Sequence, residues 1–410
     1  MPQEQYKYVL VGGGLASAQA VQGVREVDSQ GSILLVCAEK RLPYHRPPLT
    51  KGLLLGKKKP EDVFCKPQDF YEKNLVRTLQ GTRATGLDPQ ARRLNLEDGT
   101  EVRFDRLLIA TGSRARRLSI PGAELPGVMT IRTLDDSLDL LSGLDQVRTA
   151  VIVGGSFLGA ETASALAQKG IETTVLFPEF RILERLLDAE LGGHLHHLFE
   201  SKGVRILTGR KPVAFLGKDR IEAVRTDRDE RISADLVVLG VGADLNDELA
   251  KEAGLALGRS GGVRVDSRLR TSSEAIYAAG DIAEYPDPTY QKPLRLEHWD
   301  SAFRQGLTAG RNMAGADEPF TALPHYFSTL FDLGFSVWGD FSNWETTIRA
   351  GEIGRTGSWV LYLAGGRLSG ILAFDPVDPD QEHEIEALVR ARPDRETLLE
   401  NLRKRGLRPL

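Results

Sequence analysis

The chain opens on an apolar run, Tyr8 to Val11, that breaks at Gly12-Gly13-Gly14 and gives way to a helical pattern from Leu15 to Val24. An unbroken apolar run closed by glycine and followed by a 3.6-residue period predicts a strand buried on both faces with a helix packed on it. Ile33 to Glu39 is a second such strand, ending on an acid, and Phe104 to Gly112 a third, ending in small residues. Between them Leu87-Asp88-Pro89 and Glu97-Asp98-Gly99-Thr100 are turn signals separating short strands. Residues 113–149 begin as a linker, with Pro121-Gly122 and Pro126-Gly127, and then read as helix.

At Val151 the pattern restarts. Val151-Ile152-Val153-Gly154-Gly155-Ser156-Phe157-Leu158-Gly159 repeats the first turn, with Gly154 lying 142 residues after Gly12; Asp235 to Gly242 echoes Asp105 to Gly112 at a spacing of 130. Repeated units imply repeated ligands. Beyond Asn246 come a short strand, Ala275 to Asp281, and a helix from Ala302 to Asn312. From Tyr326 to Ile371 aromatic and β-branched residues alternate with glycine turns, which predicts a small antiparallel sheet. A polar helix, Asp380 to Val389, and an Arg-rich tail close the chain. The fold class is therefore α/β: two Rossmann-like dinucleotide-binding domains plus a small C-terminal α+β domain.

The two glycine turns carry the chemistry. In a Gly-x-Gly-x-x-Gly fingerprint a strand feeds a helix whose N-terminus meets a dinucleotide pyrophosphate. Here the positions are Gly12, Gly14 and Ser17, then Gly154, Ser156 and Gly159, so one serine replaces a glycine in each. Glu39 follows Ser17 by 22 residues, near the roughly 20 expected for a carboxylate that accepts a ribose hydroxyl. In Leu42-Pro43-Tyr44-His45-Arg46-Pro47-Pro48-Leu49-Thr50-Lys51, prolines predict an extended backbone, with Arg46 and Lys51 directed at an anionic cofactor.

Composition narrows the classes. A net charge of −4 and the absence of a clustered basic excess exclude a nucleic-acid footprint; Lys57-Lys58-Lys59 and Arg403-Lys404-Arg405 read as solvated runs. No apolar stretch reaches the roughly 20 residues of a membrane span, and the start lacks a secretory profile, so no membrane is expected and the cytoplasm is the expected compartment. The only cysteines, Cys37 and Cys65, form no Cys-x-x-Cys or Cys-x4-Cys pair, so any electron relay runs through a bound cofactor. His194, His196 and His197 do not share a helix face, and no metal site is expected.

Taken in order, Gly12–Ser17, Arg46-Pro47-Pro48-Leu49-Thr50-Lys51, Ala110-Thr111-Gly112, Gly154–Gly159 with Glu161, and Ala279-Gly280-Asp281 resemble the FAD-dependent pyridine-nucleotide reductases. More narrowly they resemble the ferredoxin, rubredoxin and putidaredoxin reductases and the related apoptosis-inducing factor. The resemblance spans about Tyr6 to Ile371. It implies a discontinuous FAD domain, 1–112 and 246–320, an inserted NAD(P)H domain, 113–245, and a C-terminal domain, 321–410. It assigns Gly12, Gly14, Ser17, Glu39, Arg46, Lys51, Ala84, Thr111, Gly112, Arg132, Asp281, Glu297, His298 and Trp299 to FAD. Gly154, Ser156, Phe157, Leu158, Gly159, Glu161, Glu179 and Gly242 fall to NAD(P)H. By the same resemblance Lys51 and Glu161 pair beside the flavin's reactive face and Trp299 lies by its ring, so these three are the candidate catalytic residues. Many relatives carry a tryptophan where this chain reads Tyr326-Phe327-Ser328.

Nicotinamide choice turns on the end of the strand before Glu179. Phe177 stands where NAD-preferring relatives often carry an acid, and Glu179 follows two residues later. A carboxylate there binds a 2′-hydroxyl and repels a 2′-phosphate, whereas Arg181 and Arg185 favour the phosphate. NADH is the expected donor, with NADPH the alternative. The expected activity is electron transfer from NADH through FAD to a small iron–sulfur protein such as ferredoxin or rubredoxin. Two rival readings stay open: reduction of a small acceptor such as monodehydroascorbate or a quinone, and a slow flavoprotein with an NADH-dependent binding role. The oligomeric state is left open by the sequence.

Overall fold

The computed structural model describes residues 4–404. Contacts divide the chain into two units. One comprises Met1–His45, Pro60–Arg114 and Asp244–Pro324, the other Arg46–Lys59, Ala115–Ala243 and His325–Leu410.

The first unit is built on a parallel sheet in which Val76–Gln80, Ile33–Cys37, Glu4–Val11, Glu101–Ile109 and Ile276–Ala278 lie side by side. The central strands are solid hydrophobe because both faces are covered: Val9, Leu10, Leu34, Leu35, Leu107 and Leu108 are fully buried. An antiparallel hairpin, Ala84–Asp88 and Arg93–Leu96, continues from the lower half of Glu101–Ile109. Two helices of this unit, Leu15–Val27 and Trp299–Met313, approach closely, with Ala16 and Ala20 of one against Gly306 and Gly310 of the other. The second of these begins at Trp299, three residues before the start that the sequence suggests, because His298 is the extended N-cap and Trp299 makes the first turn.

The second unit contains another parallel sheet, in the order Arg205–Leu207, Glu172–Leu176, Thr149–Val153, Leu236–Leu239, Val128–Thr130. The last of these strands lies inside the segment read as a linker. It is only three residues long and follows Pro126-Gly127, too little for a periodic signal. A three-stranded antiparallel sheet follows, and from His325 to Phe374 five antiparallel strands form the expected C-terminal sheet.

Two expectations are corrected in this unit. Pro47–Thr50 is a turn of 3-10 helix and not extended chain. Proline fixes φ near −65°, which suits a first helical turn as well as an extended strand, and both prolines occupy the first two helical positions. The Arg-rich tail is a second terminal helix, Arg395–Lys404, held by buried Leu398 and Leu402 one helical turn apart. Arg405 lies outside the described residues.

Candidate functional site

In the first unit the strand Glu4–Val11 ends at Gly12, whose φ of +128° is open to glycine alone; a Cβ there would fall 2.1 Å from the Ala110 carbonyl oxygen. Gly14 then caps the helix Leu15–Val27. It makes no side-chain hydrogen bond to the first turn, no acid lies in that turn, and a Cβ on Gly14 would meet nothing within 4 Å. Elsewhere in the chain Thr133, Asp188 and Asp378 cap their helices with side chains. The helix dipole and N–H groups at Gly14 thus face open space, the arrangement an anion fills. Ser17, the third fingerprint position, is fully buried, and its Oγ has no hydrogen-bond partner among the described residues. These features fit a dinucleotide pyrophosphate.

Other residues expected at FAD belong to the same unit. Glu39 receives the phenol of Tyr44. Thr111 and Asn246 clasp each other's backbone carbonyls at 2.7 and 2.9 Å, and Gly112 adopts φ +63°. Ser113 Oγ donates to Asp281 at 2.7 Å, an interaction that no sequence signal announces. Glu297 pairs with Arg295 at 2.6 Å, and His298 is the N-cap of the helix that begins with Trp299. Ala84 sits half-buried at the start of the hairpin. Trp299 donates its indole N–H to His45 Nδ1 at 2.9 Å, a partner that sequence reasoning did not single out.

The second unit repeats the turn. Gly154 has φ +122°, and a Cβ on it would fall 2.2 Å from the Gly240 carbonyl oxygen, as Gly12 stands to Ala110. Ser156 caps the helix Phe157–Gln168 without bonding its first turn, its Oγ donating instead to Gly240 O at 3.1 Å. Gly159 lies over this turn, with no room for a Cβ against the Gly154 carbonyl, while Phe157 and Leu158 are half-buried. Gly242, φ +103°, accepts through its carbonyl from the Arg116 amide.

Backbone register relates the two turns residue by residue. Gly12 N donates to Val36 O and Gly154 N to Leu176 O; Gly81 N donates to Glu39 O and Gly209 N to Glu179 O. Cys37 packs under Gly13 as Phe177 packs under Gly155. Glu179 therefore corresponds to Glu39, and the position matching an acid is Glu179 and not the buried Phe177. Phe180, beside it, is 75% exposed. Arg181 is drawn to Glu184 at 3.2 Å, and Arg185 is exposed.

Lys51 and Glu161, 110 residues apart in sequence, meet at 2.8 Å. The carboxylate is buried and receives two further bonds, from Thr50 Oγ1 to Oε2 at 2.6 Å and from Ser328 Oγ to Oε1 at 2.7 Å. A charge taken out of water needs such saturation. Lys51 Nζ lies 5.8 Å from the Phe327 ring centre, so the Tyr326-Phe327-Ser328 departure brings an aromatic face and a hydroxyl to the pair. Nearby in the chain Arg46 donates to the carbonyl of Arg132, whose amide is bound by Asp136 at 2.9 Å in the capping box of the helix Leu134–Gly143.

Both cysteines are free. Burial, reinforced by Glu39, pushes the Cys37 thiol up to about 12, which leaves it inert. The three histidines of the helix Ala189–Ser201 face different surroundings: His196 Nε2 accepts from Ile182 N at 3.1 Å, His197 is exposed near Glu200, and His194 lies by Gly354.

Two glycine turns whose helix N-termini carry no side-chain cap bond, on two parallel sheets, define a dinucleotide-binding protein. The chain belongs to the pyridine nucleotide-disulphide oxidoreductase family, which it matches over residues 6–306. Membership implies FAD and a pyridine nucleotide. Over 360 residues the chain is 33% identical to the anthranilate 1,2-dioxygenase system ferredoxin–NAD(+) reductase component of Burkholderia cepacia, with 88% of each chain covered. It is 30% identical over 413 residues to a chloroplastic/mitochondrial monodehydroascorbate reductase of Arabidopsis thaliana, covering 95% of this chain and 83% of that one. Among solved structures it is similar to the reductase in the covalent putidaredoxin reductase–putidaredoxin complex, with a TM-score of 0.88, 28% identity, and 94% and 93% of the two chains covered.

Proposed function

We propose that this protein is an FAD-dependent reductase that passes electrons from NADH through FAD to a small iron–sulfur protein of the ferredoxin or rubredoxin kind. The observation that carries this reading is the pair of equivalent glycine turns in a chain whose two cysteines are free. When bound, FAD supplies the conversion of a two-electron hydride donor into single-electron delivery. The names of the relatives support the same acceptor class. A cytoplasmic location goes with this reading.

We assign residues 1–112 and 246–320 to FAD binding, 113–245 to NAD(P)H and 321–410 to the C-terminal domain. Gly12, Gly14 and Ser17 receive the pyrophosphate, Glu39 the adenosine ribose, and Asp281, oriented by Ser113, the ribityl–phosphate region. Lys51, held by Glu161, Thr50 and Ser328, presents a positive charge where negative charge develops on hydride acceptance. Trp299 offers an indole face to the ring system. Gly154, Ser156 and Gly159 receive the nicotinamide cofactor's pyrophosphate, and Glu179, the counterpart of Glu39, favours NADH over NADPH.

The test is an anaerobic titration of the purified protein with NADH and then NADPH, followed by steady-state assays with a ferredoxin, monodehydroascorbate and a quinone. Rapid bleaching of the flavin by NADH and strong acceleration by the ferredoxin are expected. Acceleration by monodehydroascorbate alone would establish the small-acceptor reading, which the Arabidopsis relative favours. Slow turnover with every acceptor would instead fit a binding role, and protein that takes up no FAD would overturn the proposal.

A further inference from the structure

We infer that His45 is a positioning residue that fixes the plane of the Trp299 indole, an inference that rests on the reading of Trp299 as the aromatic side chain beside the cofactor's ring. An indole N–H can only donate, so His45 Nδ1, 2.9 Å away, is the acceptor, and in the neutral imidazole the proton sits on Nε2. The two rings lie 5.6 Å apart at a tilt of 46°, which suits an in-plane N–H aimed at a ring nitrogen better than stacking. On another side Trp299 stacks on Phe303, one helical turn on, at 5.4 Å and 27°. One contact limits tilt and the other limits rotation about the bond to the ring.

His45 is itself anchored. Its amide donates to Val63 O at 2.7 Å, and its neighbour Tyr44 bridges to Phe64 while its phenol reaches Glu39. The acceptor is therefore tied to the segment that carries the ribose-binding candidate, and the bond to Trp299 spans 254 residues. Cys65 Sγ stands 3.8 Å from the same nitrogen, a much weaker neighbour than the indole. Without His45 the indole N–H would lose this bond, and with it one of the contacts that fix the plane of the ring.

The chain has four tryptophans, so the holoprotein labelled with 15N-tryptophan gives a small set of indole resonances, and Trp299→Phe identifies the one that matters. His45→Leu should shift that resonance towards the position of an unbonded indole, while His45→Asn, whose Oδ1 can stand near the former Nδ1, should restore it. In stopped-flow reduction by NADH, Trp299→Phe and His45→Leu should each slow the step about five- to tenfold, the worth of one hydrogen bond, and the double variant should be no slower than either. His45→Asn should recover most of the rate.

The inference is overturned if the Trp299 resonance ignores His45→Leu, if Trp299→Phe slows reduction while His45→Leu does not, or if His45→Asn is as slow as His45→Leu. If His45→Leu shifts the resonance but Trp299→Phe leaves reduction unchanged, the bond stands and the assignment of Trp299 to the cofactor fails.

Discussion

Ser328 and Lys51 share one oxygen of Glu161: the hydroxyl donates to Oε1 at 2.7 Å and the ammonium at 2.8 Å, while Thr50 holds Oε2. The carboxylate is fixed from three sides, and the lysine is fixed through it. Graded losses should follow from removing each part. Lys51→Met should slow flavin reduction by NADH on the order of 100-fold, the cost of losing one preorganised charge. Glu161→Gln, which keeps the shape and leaves the ammonium without a counter-charge, should fall short of that, and Ser328→Ala should cost only about two- to fivefold, with about 1 kcal/mol of stability. Stopped-flow reduction and urea denaturation of the three variants measure the series, and an equal loss in all three would deny Lys51 its separate part.

How much of this was legible beforehand differs from residue to residue. The glycine turns were plain because an unbroken apolar strand, a glycine and a helix are local patterns, and local sterics at Gly12 and Gly154 enforce them. Lys51 with Glu161 came only through resemblance, since a pair separated by 110 residues leaves no periodic trace. Thr50, Ser328 and His45 escaped because hydroxyls and imidazoles are common and their partners lie far away in sequence. Pro47-Pro48 misled because the same φ serves two conformations. The Arg395–Lys404 helix could have been seen, since Leu398 and Leu402 have helical spacing, but the cationic composition hid it. Equating Glu179 with Glu39 required backbone hydrogen bonds, which sequence counting from Gly159 does not supply.

Gly12 and Gly14 should separate folding from cofactor binding. Gly12→Ala puts a methyl 2.1 Å from a carbonyl oxygen at a φ of +128°, so the turn must distort, and stability should fall by more than about 1 kcal/mol together with loss of bound FAD. Gly14 has an extended φ of −104° and open space around it. Gly14→Ala should fold with stability unchanged within about 0.5 kcal/mol, yet retain less FAD because the methyl occupies the anion's approach. Flavin absorbance per protein and thermal unfolding of the apoprotein check both halves.

Glu179 should decide the donor. Glu179→Gln keeps a hydrogen-bonding group but removes the charge, and Glu179→Ala removes both. The KM for NADH should rise about tenfold or more in the alanine variant, the worth of bonds to a charged acceptor, while activity with NADPH should rise as repulsion of the 2′-phosphate disappears. Paired kcat/KM values for the two donors measure the shift. A ratio unchanged in both variants would return the selectivity to Arg181 or Arg185.

His196 gives the second unit a pH-dependent stability. Burial is the largest influence on the ring and lowers its pKa from the ordinary 6.5, with Arg181 and His197 adding to the effect and Glu200 opposing it. The geometry agrees, since Nε2 accepts from the Ile182 amide at 3.1 Å and can do so only without a proton. Between 6.5 and the lower folded value the unfolded chain binds a proton that the folded chain refuses, so stability falls as pH falls through that window and is level above it. His196→Gln, whose amide oxygen can also accept from Ile182, carries no titrating group and should flatten the profile below about pH 6.5. Because Ile182 lies three residues after Glu179, protonation should also loosen the loop that carries Glu179, and on the assignment of that acid to the nucleotide it should raise the KM for NADH over the same window. Urea midpoints and NADH kinetics from pH 5 to 8, for both proteins, test the two effects together. A midpoint profile that the substitution does not alter would remove His196 from the account.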